Sequence, residues 1–401
     1  MTKVIINEAK IDEILNRGII INTLPTKEEF KKLLMLGKKI RIYHGFDATS
    51  NTLHLSHAKN IMLLEEFRKL GHEVILLFGD FTARIGDPSG QHGTRKTLSK
   101  KEVLKNIKDW QNQIKNLMNF KDKVNPPKIL FNSKWLAKMN MEKVLDLASN
   151  ITVSQMIERD MFQKRIKEGK HIFLHEFMYP LMQGYDSVAM EVDVELCGTD
   201  QIFNALMGRT LLRKLKNKEK LVVVVNLMEN PKTGELMSKS RGTGIFLNTT
   251  PEEMYGAIMA QPDEMIKVLF INCTQLPLKQ IEDILISQNP LNAKKSVAKE
   301  IVKIIHGDKK AEKAEESFIK TFQKKENPVD AINMNAKDGD LLVDIFLKNK
   351  IVSSKNDFRR LVESNSITNL DENKKVINSN EQVKNGIYRI GKKRFCKIIL
   401  K

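Results

Sequence analysis

The stretches 73–79 and 221–227 constrain the fold of this 401-residue chain more than any other part of it. Each is nearly all apolar, with Val74-Ile75-Leu76-Leu77-Phe78 in the first and Leu221-Val222-Val223-Val224-Val225 in the second. Neither approaches the ~18 apolar residues of a membrane-spanning helix, and neither alternates with polar side chains. Apolar side chains on both faces of a strand require cover on both faces, which is the situation of an inner strand in a parallel sheet. Two more strand candidates lie at 39–46 and 192–197. Helical patterns separate them: Ala58, Ile61, Leu64 and Phe67 mark a helix over 57–70, and another spans 202–216. This alternation implies an α/β fold, a Rossmann-like doubly wound parallel sheet. Ligands of such sheets bind beyond the carboxyl ends of the strands. Tyr43 to Asp47, Gly79-Asp80 and Gly198 to Gln201 all fall at such ends.

Two short strings about 180 residues apart carry the chemistry. His54-Leu55-Ser56-His57 follows the first strand and a turn and opens the helix behind them. Two imidazoles there meet the free N–H groups and the positive end of the helix dipole, a good place for phosphate. A helix cap with a packed histidine, or a metal pair, are the plainer alternatives. A spacing of three with no cysteine or third ligand nearby speaks against metal. The second string, Leu236-Met237-Ser238-Lys239-Ser240, is a polar loop with one lysine between two serines. It is suited to hold phosphoryl oxygens while charge develops on them. The flanking Thr233-Gly234 and Gly242-Thr243-Gly244 suit a loop that closes on its ligand.

The length predicts two or three domains. Lys and Arg outnumber Asp and Glu by 67 to 49, a net charge of +18 that points to a polyanionic partner, unless it reflects a lysine-rich composition throughout. The excess is local, however: residues 351–401 hold 12 Lys or Arg against 5 Asp or Glu. The N-terminus shows no signal-peptide pattern. Cys197, Cys273 and Cys396 are dispersed and odd in number, which argues against a disulfide framework and suits a reducing cytoplasm.

Residues 7–37 read as two amphipathic helices, the second capped by a Thr26–Glu29 box. Residues 99–190 read as mostly helical from a Ser99–Glu102 box, and Thr250-Pro251-Glu252-Glu253 opens a helical stretch to about 325. A polar linker follows. The tail reads as helices at 340–349 and 355–364, the latter capped by Ser354 and Asp357, and a basic hairpin from Ile387 to Ile399 turning at Gly391-Lys392.

The two strings resemble the HIGH and KMSKS motifs of class I aminoacyl-tRNA synthetases, and their surroundings are most similar to the bacterial-type tyrosyl-tRNA synthetases. The matching segments are Tyr43-His44-Gly45-Phe46-Asp47-Ala48-Thr49, Ile85-Gly86-Asp87-Pro88-Ser89-Gly90, Tyr179-Pro180-Leu181-Met182-Gln183-Gly184-Tyr185-Asp186 and Cys197-Gly198-Thr199-Asp200-Gln201. They lie in the family's order over nearly the whole chain. Two departures stand out: Ser56 where the family usually has glycine, and Leu236 where it often has a lysine.

The resemblance implies a ligase that joins L-tyrosine to ATP, brought as its Mg²⁺ complex, and passes the tyrosyl group to tRNA(Tyr), with no tightly bound cofactor. His54, His57, Lys239 and Ser240 would stabilise the phosphates during the reaction. Gly45, Asp47, Gly198 and Asp200 would complete the ATP site. Tyr43 and Asp186 would bond the phenol hydroxyl of tyrosine, Asp87, Tyr179 and Gln183 would clamp its ammonium group, and Gln201 also matches a tyrosine-pocket position. Tyr179, Gln183 and Asp186, at spacings of four and three, share one helix face. Arg95 would stand near ATP or the tRNA acceptor end. Arg359, Arg360, Lys392, Lys393 and Arg394 would meet tRNA phosphates. The implied domains are a catalytic domain over 1–248, with a dimer interface inside the 99–190 insertion, and a helical anticodon-binding domain over 249–325. A linker over 326–337 and an RNA-binding module over 338–401, similar to one in a ribosomal small-subunit protein, complete them. The implied assembly is a cytoplasmic homodimer. Competing readings are a tryptophanyl enzyme of the same fold, another nucleotidyl-transferring ligase of the superfamily, and a non-catalytic RNA-binding relative.

Overall fold

A computed structural model describes residues 3–87, 98–237, 243–323, 332–372, 374–391 and 394–400. Arg95, Lys239, Ser240, Lys392 and Lys393 lie outside the described residues. The chain divides into two compact units, Met1–Ala311 and Glu312–Lys401.

The first unit is built on six strands: β1 (Ile20–Leu24), β2 (Arg41–Phe46), β3 (Glu73–Phe78), β4 (Lys128–Phe131), β5 (Val194–Gly198) and β6 (Leu221–Val225). Their order across the sheet is β1-β6-β5-β2-β3-β4. All neighbours are parallel except β1, which runs antiparallel along β6. The two apolar runs occupy β3 and β6, and Val74–Phe78 and Val222–Val225 are buried. The four expected strands are thus present, shorter by a residue or two at some ends.

β1 and β4 were not anticipated. β1 sits between the helices Glu8–Asn16 and Lys27–Met35, where its Ile-Ile-Asn-Thr-Leu sequence merges with their amphipathic pattern. As an edge strand it buries only Ile20 and Thr23 and lacks the unbroken apolar run that marks β3 and β6. β4 has four residues, none fully buried, inside the otherwise helical insertion. The caps are as expected: the Glu29 N–H donates to the Thr26 hydroxyl at 3.2 Å, and Ser99 and Glu102 form a full capping box.

Two helices set the floor of the site. Leu174–Met190 and Ile202–Lys216 pack through Leu181, Val188, Met207, Leu211 and Leu212. The helices from Pro251 to His306 belong to the same compact unit. Arg17 helps hold them, donating to the carbonyls of Ile271 (3.0 Å), Thr274 (2.7 Å) and Leu276 (2.8 Å) at the end of the helix Met265–Cys273.

The second unit has a five-stranded sheet of β7 (Ile332–Ala336), β8 (Ile367–Asn369), β9 (Lys374–Lys375), β10 (Gly386–Ile390) and β11 (Arg394–Leu400), in the order β7-β11-β10-β8-β9. Helices Leu342–Lys348 and Lys355–Glu363 cover it, with Phe346, Phe358, Tyr388 and Ile398 in the core. The hairpin β10–β11 is present, with Gly391 at φ +66°. β7 corrects the linker reading of 326–337. It pairs in parallel with β11, and its short Ile-Asn-Met-Asn-Ala alternation, a half-buried strand pattern, directly follows the polar stretch read as linker.

Candidate active site

The carboxyl ends of β2, β3 and β5 converge on one cavity of ≈ 380 Å³. Its lining includes Tyr43, Gly45, Asp47, His54, His57, Asp87, Tyr179, Gln183, Asp186, Gly198, Asp200 and Gln201. Every candidate ATP or tyrosine residue within the described residues therefore reaches one space. Ser56 lines it too.

His54 caps the helix Leu55–Lys69. Its backbone N–H donates to Nδ1 of His57 at 3.3 Å, so the His57 proton sits on Nε2. Burial pushes the His54 imidazole down to about 4 and that of His57 well below its usual range. Both are therefore neutral at pH 7 and act as hydrogen-bonding groups rather than as cations. His54 Nδ1 is buried and has no hydrogen-bond partner among the described residues. The His54 side chain lines this cavity, at a helix start suited to a phosphate ligand.

The described residues on either side of the lysine–serine string lie beside these histidines. The Leu55 N–H donates to the Ile245 carbonyl at 3.0 Å, and the Leu247 N–H to the Leu53 carbonyl at 2.9 Å. The strand-like segment after the loop thus runs along the start of the histidine helix. On the other side, Met237 N–H donates to the Met228 carbonyl at 2.8 Å.

Asp47 is held from two sides. Thr82 donates to its Oδ1 and the Tyr179 hydroxyl to its Oδ2, both at 2.7 Å. Tyr179 therefore faces Asp47 directly, a contact its spacing on the helix did not reveal. Gln201 donates to Asp87 at 2.6 Å, and Asn204 bridges Gln183 (3.0 Å) and Gln201 (2.9 Å). A Cβ at Gly198 would come within 2.6 Å of the Asp200 carboxylate, so a larger residue there would push that side chain aside.

Tyr43 and Asp186 both line the cavity, and neither bonds the other. The Tyr43 hydroxyl lies 3.0 Å from Ser187 Oγ. Asp186 accepts from Trp135 Nε1 at 2.7 Å and from Asn132 Nδ2 at 3.2 Å. Burial pushes the Asp186 carboxyl well above its ordinary range, against the pull of these two donors. Trp135, Asn132, Ser187, Thr82 and Asn204 escaped the sequence reading because contacts of neutral side chains leave no sequence signal. Glu195 and Lys220 did leave one: charged residues next to apolar strand runs.

Among the described residues no group of three His, Cys, Asp or Glu side chains is placed to hold a metal ion, and no helix is long and apolar enough to cross a membrane. In the second unit, Arg359 and Arg360 are exposed on the helix Lys355–Glu363. Arg394 is exposed as well, although one of its guanidinium nitrogens donates to the Ile351 carbonyl at 2.6 Å.

A doubly wound parallel sheet, a histidine-opened helix at the strand ends and the segment after the lysine–serine string running along the start of that helix define a class I aminoacyl-tRNA synthetase. The sequence pattern of the tRNA synthetases class I (W and Y) matches residues 35–323. The tyrosine–tRNA ligase of Carboxydothermus hydrogenoformans is 40% identical over 96% of this chain and 97% of its own length. That of Thermotoga maritima is 39% identical over 96% of both chains. Among solved structures, a C-terminally truncated mitochondrial tyrosyl-tRNA synthetase of Aspergillus nidulans superposes with a TM-score of 0.68 at 22% identity, over 78% of this chain and 94% of that one. The Archaeoglobus fulgidus tyrosyl-tRNA synthetase complexed with L-tyrosine gives 0.58 at 19% identity, over 77% and 99%. These two show the shared fold. The chain belongs to the bacterial-type tyrosyl-tRNA synthetase family.

Proposed function

We infer that this chain activates L-tyrosine with ATP, as the Mg²⁺ complex, and transfers the tyrosyl group to the terminal ribose of tRNA(Tyr). The observation that carries this reading is the single cavity in which a neutral histidine pair and a buried carboxylate face the same space. In the first step a tyrosine carboxylate oxygen attacks the α-phosphorus and pyrophosphate leaves. In the second, a ribose hydroxyl of the tRNA attacks the tyrosyl carbonyl and AMP leaves. Neither step needs a protein nucleophile, so positioning and charge stabilisation supply the rate.

His54 and His57 donate to phosphate oxygens from neutral rings, while Lys239 and Ser240 meet the departing pyrophosphate. Asp200, with Gly45 and Gly198, takes the ribose, and Asp47 stands beside it. Asp87, Tyr179, Gln183 and Gln201 hold the ammonium group. Tyr43 and Asp186 take the phenol. A pocket built for a hydroxyl leaves its polar groups unpaired when phenylalanine binds, which costs far more than a lost methylene. Tyrosyl-tRNA synthetase is the standing example of that rule, so its size is not a result of this structure. ATP–pyrophosphate exchange tested separately with tyrosine, tryptophan and phenylalanine checks the assignment. Exchange with tyrosine alone is expected. Exchange with tryptophan would keep the ligase and overturn the pocket, and no exchange from folded protein would favour a non-catalytic RNA binder.

The raised Asp186 carboxyl gives a pH signature. Ionised, it only accepts, as a donating phenol requires; protonated, it loses that role. Tyrosine binding is therefore strongest above its shifted pKa and weakens as pH falls through it. The KM for tyrosine should rise toward acid in the parent enzyme and stay flat in Asp186→Asn. The same rise in both would assign the titration to another group.

We also propose a homodimer joined through the 99–190 insertion, working on tRNA in a reducing cytoplasm. Met141, Leu145, Val153, Ile166, Phe173 and Leu174 are all exposed within that insertion, and Leu174 is 77% exposed. Clusters of exposed large apolar side chains mark interaction surfaces. All three cysteines are free and buried, which fits a reducing compartment. Light scattering at micromolar concentration should give a dimer, and Leu145→Asp with Leu174→Asp should give a monomer. A parent protein that is monomeric would remove this interface.

A further inference from the structure

Lys220 is a fully buried lysine that none of the roles above uses. It stands just before β6, and its ammonium group pairs with Glu195 on β5, a carboxylate only 2% exposed. Removing two charges from water is costly, and a well-packed apolar pair often serves stability as well or better. A buried ion pair directly behind a binding cavity therefore calls for another explanation than stability. Gly208 makes room for it: a Cβ there would lie 2.6 Å from Lys220 Nζ and 2.7 Å from Ser187 Oγ.

The pair is linked to the tyrosine pocket through Ser187. Lys220 Nζ, which can only donate, gives a hydrogen bond to Ser187 Oγ at 2.9 Å. Ser187 then has its own proton to place. Tyr43 Oη is 3.0 Å away, whereas Glu195 Oε2 is 3.4 Å away and already holds the ammonium. Both contacts are open to that proton, and the one to Tyr43 is the shorter, the Glu195 charge being already drawn on by the ammonium. With the proton on that contact, Tyr43 accepts from Ser187 and turns its own proton toward the cavity. Across the cavity, Asp186 is filled by Trp135 and Asn132 as donors and presents only acceptor capacity. A phenol between the two accepts from Tyr43 and donates to Asp186, and every group in the line is satisfied. Glu195 also accepts from Gln183 Nε2 at 3.4 Å, so the same ion pair steadies a second pocket residue.

We propose that Lys220 and Ser187 are positioning residues that aim the Tyr43 hydroxyl proton at the substrate phenol, and so help set the preference for tyrosine over phenylalanine. This rests on the reading of Tyr43 and Asp186 as the phenol site.

The test is ATP–pyrophosphate exchange with tyrosine and with phenylalanine for the parent, Tyr43→Phe, Ser187→Ala and the double variant Lys220→Met/Glu195→Gln. The double variant is used because Lys220→Met alone strands a buried carboxylate. Ser187→Ala and the double variant should each raise the KM for tyrosine about ten-fold with little change in kcat. In Ser187→Ala the KM for ATP and the kcat/KM for phenylalanine should stay near the parent; in the double variant, which also loosens Gln183, phenylalanine should lose less than tyrosine, so the tyrosine-to-phenylalanine ratio falls in both. Equal losses with both amino acids, or a raised KM for ATP, would mean a merely structural role and overturn the proposal. A fall in Ser187→Ala without one in the double variant would remove Lys220 from the relay. If Tyr43→Phe loses the ratio while the other two keep it, the relay fails and the pocket stands. If Tyr43→Phe itself keeps the ratio, the pocket reading fails and takes the relay with it.

Discussion

Asp186→Ala is expected to lower kcat/KM for tyrosine in pyrophosphate exchange by about 100-fold or more, while the KM for ATP stays within about two-fold. The lost contact is a hydrogen bond to a charged, buried acceptor, worth about 1.5–3 kcal/mol, and its removal leaves other groups unmet. Trp135 Nε1 and Asn132 Nδ2 both donate to this carboxylate, so truncation strands two buried donors as well as the substrate hydroxyl. The ATP side of the cavity should not register the change, because His54, His57 and Asp200 have no hydrogen bond to Asp186. The effect should be smaller for phenylalanine, which never used the carboxylate. Parent-like tyrosine turnover in this variant would contradict the assignment of the phenol site.

Removing residues 324–401 should leave tyrosine-dependent pyrophosphate exchange within about two-fold and lower tRNA charging by about 100-fold or more. The second unit has its own sheet and its own core around Phe346, Phe358 and Tyr388, and the described residues lining the cavity lie between Tyr43 and Leu227. Activation needs only the first unit. Charging requires the tRNA to be held, and losing several phosphate contacts from exposed arginines such as Arg359 and Arg360 weakens binding by orders of magnitude at physiological salt. The cut falls before β7, because starting it at 338 would leave a strand without its partner β11. Unchanged charging would end the tail's assigned role. A parallel loss of exchange would show that the tail also supports the first unit.

Local pattern was enough for much of this molecule. The apolar runs of β3 and β6 announced a covered parallel sheet, because strands buried on both faces cannot be written otherwise. Thr26, Ser99, Thr250 and Ser354 announced helix starts, because a side-chain oxygen must meet the free N–H groups there. The string His54 to His57 and the run Tyr179, Gln183, Asp186 were legible because short spacings on a helix translate directly into a shared face.

What the sequence determined, then, was the set of elements whose cause is local and the residue types placed at their ends. Tertiary structure alone decided the rest. β1 and β4 exist because β6 and β3 offer them an edge, and neither carries a strong pattern of its own; β7 alternates over only five residues and is completed by β11. The partners inside the pocket were decided in the same way. Tyr43 meets Ser187 across 144 positions of sequence, Tyr179 meets Asp47 across 132, and Trp135 meets Asp186 across 51. Such contacts form only when the helix Leu174–Met190 is laid across the strand ends, and the packing that lays it there is shared among many side chains. No short stretch of sequence encodes that packing, so the direction of the hydrogen bonds in the pocket becomes visible only in the folded chain.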